Sequence, residues 1–259
     1  MRLGISTACF YPEQTDQALL RLQQADVLLV EIFLNTFSEL RDAFVSRLQS
    51  QLAQYGTNVS QLHPFSSAME TFFFATDYGP RYEDGLALYR RYFSVCRRLG
   101  ASRLVLHGQA VHSAYPFELY CSHYSRLRRE GRLYGIEVLQ ENVVRCKTGY
   151  PEQVRQMRAY TGDDVGFVLD TKQLRRAGVP LPEMLQAMGD KIRHIHISDA
   201  GTKGDCLPPG DGTEDFAPLV QHLAQIRFSG DCIIELYRDG FGDIHDLLRG
   251  LACLKALFA

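Results

Sequence analysis

Eight short β-rich runs alternate with longer helical patterns along the 259-residue chain, and this alternation constrains the fold more than any other feature. Each interval between neighbouring runs is long enough for one strand–helix–strand crossover. The pattern therefore predicts an α/β fold with a parallel sheet. The runs are residues 3–6, 27–33, 58–62, 103–107, 137–141, 166–170, 194–197 and 232–236.

The segments between the runs carry apolar residues at spacings of three and four, which is typical of amphipathic helices. Residues 36–56 and 82–100 show this pattern most clearly. Ser38 is the expected N-cap of the first of these helices. Gly56 and Gly100 stand where a glycine commonly ends a helix.

Eight strands with intervening helices either close as a barrel or open as a doubly wound sheet. The length favours a single (β/α)₈ TIM barrel that spans residues 1–259 as one domain. No G-x-G-x-x-G or P-loop follows an early strand, although doubly wound sheets often carry one. No Pro/Ser-rich linker divides the chain.

The charge balance and the cysteine content limit the cellular environment and the binding partners that we expect for the protein. The 28 Lys+Arg against 30 Asp+Glu give a net charge of −2, which offers no strong field for nucleic acid or an anionic membrane. The seven cysteines include no C-x-x-C pair, so a zinc ribbon or a disulfide framework is not expected. The start of the chain does not resemble a signal peptide. The longest apolar region, residues 27–34, is interrupted by Glu31. We expect a cytoplasmic protein that binds neither membrane nor nucleic acid.

Six consecutive predicted strands, the third to the eighth, end in a carboxylate or an imidazole. In a TIM barrel the carboxyl ends of the strands form the mouth that carries the chemistry. Two Glu, one Asp and one His suit a hard or borderline divalent cation such as Mn²⁺, Mg²⁺, Co²⁺ or Zn²⁺. The strand-end residues are His63, His107, Glu141, Asp170, His194 with His196, and Glu235.

Each of these residues also has a purely structural interpretation. A single His at a strand end is often hydrogen-bonded within the fold, and a single Asp often caps the next helix. Such residues are rarely buried unless they are paired or bound to metal, however, and here they follow apolar runs that must be buried. Their coincidence at one barrel mouth favours a functional site.

The late motifs carry a family resemblance that covers nearly the whole chain. They are LQEN at 139–142, VLDTKQ at 168–173, RHIHISDA at 193–200, LPPGDGTEDF at 207–216 and IIELYRD at 233–239. With these motifs the chain resembles the xylose isomerase-like TIM-barrel superfamily, specifically the sugar phosphate isomerase/epimerase (AP endonuclease family 2) group.

The resemblance implies one divalent metal ion held by Glu141, Asp170, His196 and Glu235, with the two glutamates as the acid/base pair. It implies an isomerase or epimerase that removes a proton next to a carbonyl, via an enediolate, from a ketose, a sugar phosphate or a related polyol. A small sugar is then the partner, and a homo-oligomer is compatible with the pattern.

Two departures from the family keep other activities open. Ketose 3-epimerases usually have a histidine where this chain has Gln173, so the substrate is expected to differ from a free ketohexose. The trinuclear-zinc endonuclease branch needs a histidine at position 173 and an aspartate at position 194 (here His194). The alternatives are an inosose-type dehydratase, an AP endonuclease-like phosphodiester hydrolase and a non-catalytic barrel.

Further polar groups are candidate contacts to substrate or to the site residues. Arg145, Lys147, Arg175 and Arg176 either bind a phosphate or carboxylate of the substrate or are solvated charges. The loop at 201–213 is either a lid or a long connection in which Asp215 caps the next helix. The stretch 72–74 with Tyr78 either walls the pocket or lies at an oligomer interface. The remaining candidates are His63, His107, Asn142, Lys172, Gln173, His194, Asp199 and Arg238.

Overall fold

A computed structural model describes residues 1–259 and contains a closed barrel of eight parallel strands. Neighbouring strands in the chain are neighbours in the barrel, and the last strand closes on the first, with Arg2 opposite Asp231. The (β/α)₈ prediction is confirmed. The strands are β1 (Arg2–Ser6), β2 (Leu29–Phe33), β3 (Asn58–His63), β4 (Arg103–Leu106), β5 (Glu137–Glu141), β6 (Phe167–Asp170), β7 (Ile192–Ile197) and β8 (Asp231–Ile234).

Nine helices connect the strands and a tenth follows the last strand, and none of the ten has both the length and the apolar character needed to cross a membrane. Two connections, the one after β3 and the one after β6, contain two helices each. The helices are α1 (Thr15–Gln24), α2 (Asp42–Tyr55), α3 (Glu70–Phe74), α4 (Gly79–Leu99), α5 (Phe117–Leu133), α6 (Pro151–Thr161), α7 (Thr171–Ala177), α8 (Leu181–Met188), α9 (Ala217–Gln225) and α10 (Ile244–Leu257).

Residues within a strand alternate between the helix-covered outside and the barrel interior, because successive side chains point to opposite faces. Leu104 and Val138 belong to the main hydrophobic core, whereas Val105, Leu139 and Val168 form a separate small cluster. We assign this small cluster to the barrel interior. The residues two positions after Leu139 and Val168 share their face, and this alternation turns the ends of β5 and β6 toward the barrel axis.

The ends of two helices test the capping predictions. Gly56 and Gly100 adopt left-handed backbone with φ of 63° and 75° directly after α2 and α4, as predicted. The N-cap prediction for Ser38 is wrong, because Ser38 lies inside a short 3₁₀ turn at Phe37–Leu40. Arg41 is extended, with ψ of 147°, and separates this turn from α2. The extended residue breaks the helix that apolar periodicity alone had predicted to be continuous.

The long connection after β7 folds into a two-stranded hairpin, Asp199–Gly201 with Gly204–Leu207. The buried Asp199 carboxylate accepts hydrogen bonds from the backbone N–H groups of Ala200, Gly210, Gly212 and Glu214, at 2.7–3.1 Å. These four bonds tie the loop to the end of β7. Further along the connection, the Asp215 carboxylate accepts from the Ala217 N–H at the start of α9.

Six of the seven cysteines are buried and only Cys253 is exposed. Burial raises the pKa of the Cys121 and Cys146 thiols to about 12, which leaves almost no reactive thiolate at neutral pH. We therefore expect a thiol reagent to modify one cysteine rapidly in the native protein and all seven after denaturation. A Cys253→Ser variant provides the control, since it should abolish the rapid phase. Rapid native modification of a second thiol would contradict the burial.

Candidate active site

Four side chains from the ends of β5 to β8 converge at the barrel mouth. Glu141, Asp170, His196 and Glu235 are buried, and each offers an oxygen or nitrogen atom within 4.8 Å of the others. His196 lies at the centre of the group, with its Nδ1 3.0 Å from Glu141 Oε1 and 3.4 Å from Glu235 Oε2. The structure thus brings together the four residues that the sequence selected as metal ligands.

The two carboxylate oxygens of Asp170 have different surroundings. Its Oδ1 accepts a hydrogen bond from the Gln173 N–H at 3.0 Å and so caps α7. Its Oδ2 is buried without a hydrogen-bond partner, and Lys172 Nζ lies 3.6 Å away. Asn142 holds the backbone of Asp170 through two hydrogen bonds, at 2.7 and 3.0 Å. Asp170 therefore serves as a helix cap through one oxygen, and its other oxygen is available to a ligand.

The charges in the cluster show why a cation would suit it. Burial raises the pKa of Asp170 to about 6, although the nearby Lys172 ammonium opposes this shift. Burial also works to raise the pKa of Glu235, but His196 and Lys172 lower it to about 2. Crowded carboxylates repel one another unless positive charge lies between them. Three carboxylates and one imidazole, with a free oxygen on Asp170, fit a hard or borderline divalent ion.

His63 and His107 extend the site on the other side of Glu141. His107 Nε2 lies 2.9 Å from Glu141 Oε2 and 3.0 Å from His63 Nε2. Phe33 stacks on the His63 ring with centroids 4.5 Å apart, and Arg145 Nη2 lies 3.2 Å from His107 Nδ1. The two imidazoles are therefore fixed in position directly beside Glu141.

A cavity of about 380 Å³ opens above the cluster, which is a suitable volume for a small ligand. Of the four clustered side chains, Glu141 and Glu235 line this cavity, whereas Asp170 and His196 are not among its lining residues. Phe33 and Phe65 supply aromatic surface. The polar lining consists of Tyr11, Asn35, His63, Ser67, His107, Glu141, Arg145, Lys172, Gln173, Glu235 and Tyr237.

Four of the polar residues predicted as contacts lie outside the cavity lining, namely Asn142, His194, Asp199 and Arg238. The Asp199 carboxylate is used by loop N–H groups. His194 is two residues before His196 on the same face and is fully buried deeper in the barrel. Asn142 is fully buried, with its amide used on the Asp170 backbone. Arg238 donates to the carbonyls of Phe241 and Gly242. By contrast, His63, His107, Lys172 and Gln173 all line the cavity.

Among the cations suggested for a phosphate or carboxylate, only Arg145 lines the cavity. Arg176 pairs with the Asp205 carboxylate at 2.6 Å, and Arg175 donates to Ser198 Oγ at 2.8 Å. Lys147 lies outside the cavity lining. No carboxylate lies within salt-bridge distance of Arg145, whose guanidinium is therefore free to meet an anion.

The aromatic stretch 72–74 does not wall the cavity. Phe73 and Phe74 are buried in the hydrophobic core. Phe72 and Tyr78 are exposed, and the Arg81 guanidinium lies 3.9 Å from the Phe72 ring centroid. Residues 72–74 lie within the short helix α3, whose turn directs their rings partly toward the core and partly toward the surface.

Sequence reasoning missed one buried acidic residue and several loop residues. Glu31 on β2 is fully buried, and its Oε2 lies 2.8 Å from His196 Nε2. The sequence did indicate a special role for Glu31, because burying a glutamate inside an apolar strand costs free energy unless the carboxylate has partners. Tyr11, Asn35 and Ser67 reach the cavity from loops that carry no comparable pattern.

Comparison with known proteins identifies relatives of the whole chain and of parts of it. The sequence model of a family described as xylose isomerase-like TIM barrel matches residues 20–257. Inosose isomerase of Bacillus subtilis (strain 168) is 30% identical over 115 residues, or 40% of this chain and 41% of that protein. The uncharacterized protein ML2432 of Mycobacterium leprae (strain TN) is 28% identical over 134 residues, or 49% of this chain and 44% of that protein. Both alignments span less than half the length of these curated relatives.

Solved structures resemble the chain over almost its full length. A D-psicose 3-epimerase crystallised in the presence of D-fructose has a TM-score of 0.82 at 15% identity, covering 100% of this chain and 99% of that chain. The IOLI protein with a bound zinc atom has a TM-score of 0.76 at 19% identity, covering 99% and 96% of the two chains. At these identities the likeness establishes a common fold.

Proposed function

The chain belongs to the family of xylose isomerase-like TIM barrels, and on this basis we propose that it is a divalent-metal-dependent sugar isomerase or epimerase. We further propose that residues 1–259 act as a single barrel domain. The names of similar proteins support this activity: one is an inosose isomerase and another a D-psicose 3-epimerase. The related IOLI structure holds a zinc atom.

One observation carries the proposal: the two glutamates of the cluster face the cavity, while Asp170 and His196 do not. A residue that only holds metal needs no contact with substrate. A residue that moves a proton must reach the reacting carbon. That Glu141 and Glu235 line the same cavity therefore supports their assignment as the acid/base pair.

Isomerisation or epimerisation next to a carbonyl needs a base, a way to return the proton, and positive charge beside the developing enediolate oxygens. A divalent ion bound by Glu141, Asp170, His196 and Glu235 would supply that positive charge. One glutamate takes the proton from the carbon, and the other returns it, on the opposite face in an epimerase. His63 and His107 lie beside Glu141 and can hydrogen-bond substrate hydroxyls.

Lys172 keeps the second glutamate in its basic form. Its Nζ lies 3.3 Å from Glu235 Oε2, in a position 3% exposed and on the cavity wall. The buried ammonium favours the carboxylate form of its neighbour and also offers a donor to a substrate oxygen. Tyr237 covers the ammonium, with its ring centroid 4.6 Å from Nζ.

The substrate can be a ketose, a sugar phosphate or a related polyol. The unpaired Arg145 at the cavity favours a substrate with an anionic group, because guanidinium binds phosphate and carboxylate through paired hydrogen bonds. Matched pairs of a ketose and its phosphate test this preference directly.

The test of the proposed function is a screen of ketoses, ketose phosphates and inososes in D₂O. We expect deuterium to enter the carbon next to the carbonyl of an accepted substrate, with loss of activity on chelation and recovery on adding Mn²⁺, Mg²⁺, Co²⁺ or Zn²⁺. Loss of water from an inosose without isomerisation would support the dehydratase instead. Absence of both exchange and metal binding would contradict the proposal.

Gln173 is expected to contribute to substrate binding and not to metal binding. Its Oε1 accepts from the Val144 N–H at 3.1 Å, which leaves the amide Nε2 available to the cavity. For Gln173→Ala we expect KM to rise or the substrate preference to change, with metal content unaltered. Steady-state kinetics and metal analysis of the same preparation check this. Loss of bound metal would contradict it, and Arg238→Ala, which lies outside the cavity lining, is the matched control.

A further inference from the structure

Glu31 is a fully buried carboxylate on β2, on the opposite side of the barrel from the strands that supply the clustered ligands. Three side chains converge on its two oxygens. Ser6 Oγ donates to Oε1 at 2.9 Å, the Gln61 amide donates to Oε2, and His196 Nε2 lies 2.8 Å from Oε2. With donors on both oxygens, Glu31 acts as a hydrogen-bond acceptor.

The two ring nitrogens of His196 face different partners. Nδ1 faces the ligand oxygens of Glu141 and Glu235, at 3.0 and 3.4 Å. Nε2 faces Glu31 alone among the carboxylates. A neutral imidazole carries its hydrogen on one nitrogen and a lone pair on the other, and the partner of one nitrogen sets the role of the other.

A bare Nε2 lone pair 2.8 Å from a carboxylate oxygen would be repulsive, so Nε2 must carry the hydrogen. The Gln61 amide, 2.9 Å from the same nitrogen, is compatible with this because its hydrogens can be directed to Glu31. We propose that Glu31 is a positioning residue: by accepting the Nε2 hydrogen it holds His196 with its Nδ1 lone pair directed at the metal site.

This role also explains why polar side chains occupy strands on the far side of the barrel. Ser6 lies opposite Glu31 in the β1–β2 ladder and, with Gln61 of β3, fixes the carboxylate in place. Strands β5 to β8 would then supply ligands, and β1 to β3 would supply the support that orients the histidine. Carboxylate–histidine–metal chains of this kind raise the basicity of the ligand and fix its ring. The inference rests on the proposed metal site but does not depend on the identity of the sugar.

The experiment measures Zn²⁺ affinity by competition with a chromophoric chelator, together with ¹⁵N-histidine NMR of the Zn²⁺-loaded protein. In the wild type we expect the His196 signals to show hydrogen on Nε2 and metal on Nδ1. Glu31→Ala should weaken Zn²⁺ binding by roughly 10–100-fold, the usual effect of removing such a partner. Glu31→Gln should lose less affinity, because an amide oxygen still accepts the hydrogen.

Glu70→Gln is the matched control for loss of a buried carboxylate. Glu70 is also fully buried, and it accepts from the Tyr89 hydroxyl and the Gly108 N–H, with no hydrogen bond to a clustered residue. Its Zn²⁺ affinity should equal that of the wild type. An unchanged Glu31→Ala affinity and His196 spectrum would overturn the positioning role alone, as would an equal loss in Glu70→Gln. A wild type that binds no divalent ion would overturn the metal site and this inference together.

Discussion

Replacing Glu141 or Glu235 by glutamine is expected to lower proton exchange at the substrate carbon by about 10²–10⁴-fold, the usual contribution of a general acid or base. An amide keeps one oxygen for weak ligation but cannot accept the substrate proton at neutral pH. Some bound metal should therefore remain while exchange in D₂O collapses. Deuterium incorporation and metal content, measured on the same sample, separate these two effects.

Net conversion should collapse together with exchange in either variant, because one glutamate takes the proton and the other returns it. Glu70→Gln again serves as the control for a buried glutamate outside the cluster, and its turnover should match the wild type. Near-normal turnover of either Glu141→Gln or Glu235→Gln on the true substrate would refute the acid/base assignment.

Asp170→Asn is expected to cause the largest loss of bound metal for the least disturbance of the fold. The asparagine side chain retains an oxygen that can accept from the Gln173 N–H and cap α7. The Oδ2 oxygen of Asp170, which accepts no hydrogen bond within the protein, would be replaced by an amide nitrogen that does not ligate. Removal of one of three neighbouring carboxylates also reduces their mutual repulsion in the metal-free protein.

We therefore expect the metal affinity of Asp170→Asn to fall by more than the roughly 10–100-fold typical of supporting residues. Activity should fall with it, while the metal-free variant unfolds no more easily than the metal-free wild type. Metal titration and thermal unfolding measure these quantities. Asp199→Asn, a buried carboxylate that binds loop N–H groups, is the contrasting control and should alter stability without altering metal affinity. Full metal content in Asp170→Asn would contradict the ligand assignment.

The direction of the side chains at the candidate site could be predicted from the sequence, because side-chain direction alternates along a strand as a local property. His194 and His196, two positions apart, had to share a face, and the structure places both inside the barrel. The convergence of Glu141, Asp170 and Glu235 followed from a single further assumption, that the strands close into a barrel. Their shared position then required no knowledge of the loops.

The residues that line the cavity could not be predicted from the sequence in the same way. Arg238 and Asn142 are polar residues close to the strand ends, yet the chain turns their side chains toward backbone groups. Tyr11 and Asn35 reach the cavity from the connections after β1 and β2. The path of such connections depends on packing against distant elements, so no spacing within the sequence predicts it.

The sequence by itself determined the order of the eight strands, the shared face of residues two positions apart on a strand, and the three carboxylates and one imidazole at the ends of β5 to β8. Only the tertiary structure decided that Glu31 meets His196, that the glutamates line the cavity while Asp170 does not, and that Arg145 has no carboxylate partner. The physical reason is the distance along the sequence over which each effect acts. Side-chain alternation and helix periodicity act over a few residues, whereas Glu31 and His196 are 165 residues apart and meet only when the barrel closes.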